Sequence, residues 1–353
     1  MMARRRPGRG WADLNRELAR GTRLDDLLRR WQNEDPAGFD RARADTQEAL
    51  QRMKFHQAWA LCQDSSQYPQ RLRELRDAPG VLFGRGNDVL MDKGKNVAVI
   101  GTRSCSTYGR ILARTIGTKL ARGGYTVVNG LASGIDTEVL LGAMLERGKS
   151  IGVLGHGLER KLSWNQRTLA QEMLQNGGTL LTEFEVGSPV HRWHFASRNR
   201  ITVALADTLV VVETPEKGGS MISVEIALEL GVNLHVLEPP MGNKSWRGNE
   251  ALIAAFPETA FESAQELLAK IERGATAQWV HPGPSVLTGL SAALPGELAT
   301  IWEELVRTDG CSLEELSTRL DVTSGKAQSQ LLRLELMGWA IRAPGGRFIP
   351  VLN

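Results

Sequence analysis

A chain of 353 residues is too long for one ordinary hydrophobic core, and roughly two or three domains are expected. Hydrophobic residues make up 42% and charged residues 24%, and no apolar run is long enough to cross a bilayer, so no membrane partner is expected. The net charge of +3 suits a polyanion and a small anionic metabolite equally well, so the placement of the cations has to separate the two.

Arg4, Arg5, Arg6 and Arg9 read as a disordered basic tail, because no apolar stretch follows to complete a secretory signal. Cys62, Cys105 and Cys311 lie too far apart for a disulfide framework or a zinc site, which points to a reducing cytoplasm. From Leu14 to Gln63 the pattern is helical and charged, with Leu24, Leu27 and Leu28 ahead of a breaker at Pro36, then Leu50, Met53 and Ala58. Residues 1–65 are therefore expected to form a helical N-terminal region. Val81, Leu82 and Phe83 read as an edge strand leading into the main domain.

The main domain, expected over 66–273, repeats one unit: a β-branched run, a glycine-containing turn and an amphipathic helix. Val97 to Ile100, Tyr125 to Val128, Ser150 to Leu154, Thr179 to Leu181, Thr208 to Val212 and Leu234 to Leu237 are the predicted strands. Runs apolar on both faces and separated by helices indicate an α/β fold with a mainly parallel sheet covered on both sides. Ligands of such sheets bind at the carboxyl ends of the strands, so the following loops are where function is sought. Residues 274–295 are rich in Ala, Thr, Gly, Pro and Ser without periodicity and read as a linker. Beyond it, Leu298 to Val306, a helix opening at the capping box Ser312 to Glu315, a third helix capped by Thr323 or Ser324, and a hairpin around Gly345-Gly346 suggest a winged helix over 296–353.

The loops supply the chemistry. Gly101-Thr102-Arg103-Ser104 precedes a helix from about Thr107, which brings backbone N–H groups and a cation together as an anion site. The turn lacks the three-glycine spacing of a dinucleotide fingerprint. In Asn129 to Asp136 two glycines allow close approach of a ligand, and Asp136 is read as a helix cap rather than a catalytic acid. His156, between two glycines, is read as a turn residue rather than a general base.

The richest segment runs from Pro189 to Arg200, where Arg192, Arg198 and Arg200 interleave with Trp193 and Phe195. Aromatic faces stack on unpaired bases while arginines take phosphates, which is what single-stranded nucleic acid requires. The same residues suit two other roles: a metal held by His191 and His194, disfavoured without cysteine or carboxylate nearby, and a core role for Trp193 and Phe195. Lys217-Gly218-Gly219-Ser220 before the next helix is a second phosphate cradle.

Taken in order, Val99 to Arg103, Asn129 to Asp136, Phe195 with Arg198-Asn199-Arg200, Gly219-Ser220 and Gly248 to Ile253 resemble the DNA processing protein A family, over about Tyr68 to Ala255. The resemblance implies an extended Rossmann-like fold that forms a homodimer, binds single-stranded DNA and loads the RecA recombinase on it during natural transformation. No cofactor, metal or catalytic residue is implied. By position Arg103, Phe195, Asn199 and Arg200 would line the DNA pocket, with Gly101, Thr102 and Ser220 shaping it, and Arg192 stands where a cation is usual. The chain departs from the family at Ser133, which replaces an arginine, at Gly218, which replaces a serine, at Lys161 to Trp164, which replace a Tyr-Pro pair, and at Leu237 to Pro240, which replace Val-Pro-Gly.

Two alternatives belong to other classes. Gly218, Gly219 and Glu225 echo a signature of related phosphoribohydrolases, but Met221 and Ile222 replace the Gly and Thr that hold phosphate. A duplex-binding regulator would use the third helix of the winged unit, where Lys326, Gln328, Gln330 and Arg333 are offset by Glu314, Glu315 and Glu335.

Overall fold

The computed structural model describes residues 23–75, 77–88, 91, 95–191, 194–240, 244–273, 296–308, 311–336, 340–342 and 347–350. The basic tail and the linker fall outside these residues. The chain divides into two compact units, 1–277 and 278–353. No described helix is long and apolar enough to cross a membrane.

Two helices open the first unit, α1 (Leu24–Glu34) and α2 (Pro36–Phe55), divided where proline takes the first helical position and Asp35 accepts a hydrogen bond from the Gly38 N–H at 2.9 Å. Trp31 packs edge-on to Phe39 at 5.6 Å, and Met53 reaches the main core at Val81, Phe83 and Val186. β1 (Trp59–Cys62) lies in the stretch expected to be helical. It pairs antiparallel with β2 (Val81–Gly86), and the Trp59 indole N–H donates to Gly86 O at 3.0 Å. Val81 to Phe83 is therefore the second strand from the edge and not the edge itself.

After the short helix α3 (Gln70–Arg73) and β2, strands and helices alternate, with two short helices in succession between β6 and β7. The elements are β3 (Asn96–Ile100), α4 (Thr107–Arg122), β4 (Thr126–Asn129), α5 (Ile135–Leu145), β5 (Ser150–Val153), α6 (Trp164–Gln175), β6 (Thr179–Thr182), α7 (His194–Ser197), α8 (Asn199–Ala204), β7 (Thr208–Val211), α9 (Gly219–Leu230), β8 (Asn233–Leu237), α10 (Arg247–Ala255), β9 (Ala260–Phe261) and α11 (Ala264–Glu272). The nine strands form one sheet in the order β1-β2-β6-β5-β4-β3-β7-β8-β9, parallel from β6 to β9.

Strands β3 to β7 are buried along their whole length because helices cover both faces. Val99, Ile116, Leu140 and Phe261 fill one side, and Leu82, Val128, Ile151, Leu181 and Ile201 fill the other. From β3 the chain winds outward to β6 in one direction and, from β7, outward to β9 in the other. The reversal between β3 and β7 leaves a crevice at their carboxyl ends, where the two loops splay apart.

The second unit contains α12 (Gly296–Arg307), β10 (Cys311–Ser312), α13 (Leu313–Leu320), α14 (Ser324–Leu336), β11 (Ala340–Arg342) and β12 (Arg347–Pro350). Ser312 and Glu315 form the expected capping box, and Thr323 Oγ1 accepts from the Lys326 N–H at 3.4 Å. Leu298, Leu305, Leu316, Leu331, Leu334 and Phe348 make its core, a winged helix. The turn at Gly345-Gly346 lies outside the described residues.

Candidate nucleic-acid interface

The crevice between β3 and β7 is organised by a residue that is not among those expected to form the site. Glu213, fully buried just beyond β7, turns its carboxylate under the first turn of α4, where it accepts the Ser106 N–H at 2.9 Å and the Ser106 hydroxyl at 2.8 Å. Ser106 in turn caps the helix, accepting from the Gly109 N–H at 3.0 Å. The expected anion site at this helix start is thus filled by the protein's own carboxylate, which the helix dipole favours as it would a phosphate. What remains for a ligand is the loop above it. A glutamate directly after an uninterrupted apolar strand, at the switch point, was the available signal.

That loop is held from both sides. The Thr102 N–H donates to Glu213 O at 2.7 Å, and Thr102 O accepts from the Ile135 N–H at 3.2 Å. Gly134, at a φ of 82°, passes so close to the Thr102 and Arg103 carbonyls that a β-carbon would overlap them. Gly101 and Thr102 therefore shape the turn, while the Arg103 side chain is exposed and makes no ion pair or hydrogen bond with a described residue. Its charge is felt by the buried Asp136 carboxylate, and an exposed guanidinium on a fixed loop can take a phosphate.

Asp136 is not the helix cap it was expected to be. Gly134 occupies the cap position of α5, and the Asp136 carboxylate reaches back to accept the N–H groups of Gly130 at 3.0 Å and Ala132 at 3.3 Å. Burial raises its pKa against the opposing pull of Arg198. Arg198 is itself buried, its pKa lowered by burial, and donates to Val153 O at 2.6 Å beneath Gly130, where a β-carbon would overlap the guanidinium. Asp136 and Arg198 brace the β4 and β5 loops and offer nothing to a ligand. His156 is likewise internal: Nδ1 lies 2.9 Å from Gly157 O, and burial lowers its pKa.

The aromatic and arginine segment divides. Phe195 is half-buried on α7, its ring 6.4 Å from that of His156. His194 stacks on Phe184 at 3.9 Å. Asn199 donates to Gly219 O at 3.2 Å, tying α8 to the start of α9. Arg200, expected to line the pocket, is held in ion pairs within the protein. Its guanidinium donates to both Glu183 oxygens at 2.7 and 2.8 Å and to Asp77 O at 3.1 Å, and lies 2.7 Å from the Asp77 carboxylate. Burial opposes its charge, but Glu183 and then Asp77 raise its pKa. Arg192 and Trp193 lie outside the described residues.

The second cradle stays open. Gly218 precedes α9 with no side-chain cap and no acidic residue in the first turn, Lys217 is exposed, and Ser220 is half-buried. Arg103, Phe195 and the Lys217 to Ser220 turn all belong to the carboxyl ends of the sheet, with Asn199 positioning the last of them.

The sequence matches the model of the DNA recombination-mediator protein A family over residues 59–272, and that of the DprA winged helix domain over 288–346. The chain belongs to the DNA recombination-mediator protein A family. It is 32% identical over 289 residues to Protein Smf of Escherichia coli, covering 80% of this chain and 75% of the relative. The solved DNA processing protein A of Streptococcus pneumoniae matches with a TM-score of 0.63 and 27% identity, over 76% of this chain and 95% of that one. The Helicobacter pylori DNA processing protein A, whose structure was described for its single-stranded DNA binding mode, matches with a TM-score of 0.55 and 25% identity, over 62% and 97%.

One feature of this family member titrates near neutrality. Burial, with a contribution from Glu229, raises the Glu225 carboxyl to about 7, and its Oε2 is buried without a hydrogen-bond partner. Between its ordinary value and 7 the folded state holds a proton that the unfolded chain has released, so this group's contribution to stability falls as pH rises through that window. Glu225→Gln is expected to raise Tm relative to the wild type at pH 8 and to leave it unchanged at pH 4. Equal melting curves at both pH values would refute the assignment.

Proposed function

We propose that this protein binds single-stranded DNA at the carboxyl-end crevice of its sheet, protects it, and loads the RecA recombinase on it, acting as a homodimer. The observation that carries this reading is Arg103. It is an unpaired, exposed cation on a loop fixed by Glu213 and Ile135, with the half-buried Phe195 and the open β7 to α9 cradle on the same end of the sheet. Membership of the family supports it, as does the likeness to the H. pylori protein and its described binding mode. No bond-breaking step is involved. Binding requires only cations for phosphate and an aromatic face for bases.

Phe195→Ala is expected to reduce affinity for oligo-dT roughly 5- to 100-fold, the cost of one lost base-stacking contact. If the variant loses thermal stability while binding stays intact, Phe195 is a core residue. Loading is tested separately, by following RecA filament assembly on DNA already coated with a single-strand binding protein. Faster assembly in the presence of this protein supports loading, and an unchanged rate confines the function to binding.

A further inference from the structure

We infer that Trp164 is a second base-stacking post, which extends the path of a bound single strand beyond the Arg103 and Phe195 crevice. The inference rests on the single-strand reading above. Trp164 is 78% exposed, at the first position of α6, on the loop that follows the carboxyl end of β5. It makes no ring contact with a described residue.

An exposed indole alone is unremarkable on a protein surface. Its setting is not. Arg160, Lys161 and Arg167 surround it in sequence, all exposed, and none forms an ion pair with a described residue. From Arg160 to Thr168 the segment contains no acid. The preceding Glu159 is turned inward, accepting the Gly187 N–H at 2.9 Å. The segment therefore carries an exposed indole and three exposed cations without an ion pair to a described residue, the residue types that take bases and phosphates of a flexible strand.

The post is also fixed in place and joined to the crevice. Ser163 and Gln166 form a reciprocal capping box, so the start of α6 does not fray. The Gln166 side-chain amide donates to Leu131 O at 2.9 Å, in the Asn129 to Asp136 loop whose Gly134 lies against the Arg103 carbonyl. One continuous series of loop contacts thus runs from Trp164 to Arg103.

The test uses the full-length protein and a series of oligo-dT strands of increasing length, comparing wild type with Trp164→Ala, Trp164→Phe and Arg103→Ala. Trp164→Ala is expected to leave binding of the shortest bound strand and Tm unchanged, and to weaken longer strands roughly ten-fold, with Phe restoring most of the loss. Arg103→Ala weakens strands of every length. If Trp164→Ala binds all lengths like wild type while Arg103→Ala is impaired, the post is refuted and the crevice stands. A change confined to the sedimentation mass of Trp164→Ala would likewise overturn it, by making the indole a protein contact. If wild type binds no strand, the single-strand reading itself falls.

Discussion

Arg103→Ala is expected to lower affinity for oligo-dT by about one order of magnitude or more without changing Tm. A charge-assisted bond to phosphate contributes about 1.5–3 kcal/mol, and the loop that carries this side chain is held by backbone contacts the substitution leaves intact. Thr102 keeps its bonds to Glu213 O and from the Ile135 N–H whatever stands at the next position. Arg103→Lys should recover part of the loss, since a point charge replaces a fork of donors. Fluorescence anisotropy across a titration of protein reads the effect. A folded Arg103→Ala protein with wild-type affinity would take the crevice assignment away.

Arg200→Ala is expected to act in the opposite manner, on stability. Arg200 and Glu183 have side chains only 14% and 12% exposed, and the substitution leaves the Glu183 carboxylate buried without its cation. Removing one partner of a buried ion pair costs about 3–5 kcal/mol. Replacing both residues by apolar ones of similar volume should recover much of that, because the desolvation of both charges is then avoided. Urea unfolding of the single and double variants measures this directly. An Arg200→Ala protein of full stability but weakened strand binding would return Arg200 to the pocket.

The contrast between these two arginines marks the limit of what the sequence makes legible. Both stand in the motifs that carry the family resemblance, and the sequence alone gives neither a partner. Their difference is made by Glu183, seventeen positions before Arg200 in the chain and brought beside it only when β6 and α8 pack together. The strands of the sheet, in contrast, are evident in advance, because a strand covered on both faces is apolar at most positions and rich in β-branched residues, as Val97 to Ile100 and Thr208 to Val212 are.

β1 escaped for the complementary reason. Trp59-Ala60-Leu61-Cys62 is short, follows a helical pattern and lies at the sheet edge, where alternation is weak. Glu213 escaped because its role depends on a partner, the first turn of α4, more than a hundred residues earlier in the chain. Asp136 shows the same effect on a smaller scale: its position one residue into the helix turns an expected cap into a brace for the preceding loop.

The most direct measurement is equilibrium binding of the purified protein to a labelled oligo-dT strand and to a duplex of equal length, across a salt series. A clear preference for the single strand is expected, with affinity falling as salt rises because counterions are released at each phosphate contact. Preference for the duplex would contradict it and move the binding surface to the winged helix, and binding of neither strand at low salt would contradict it altogether.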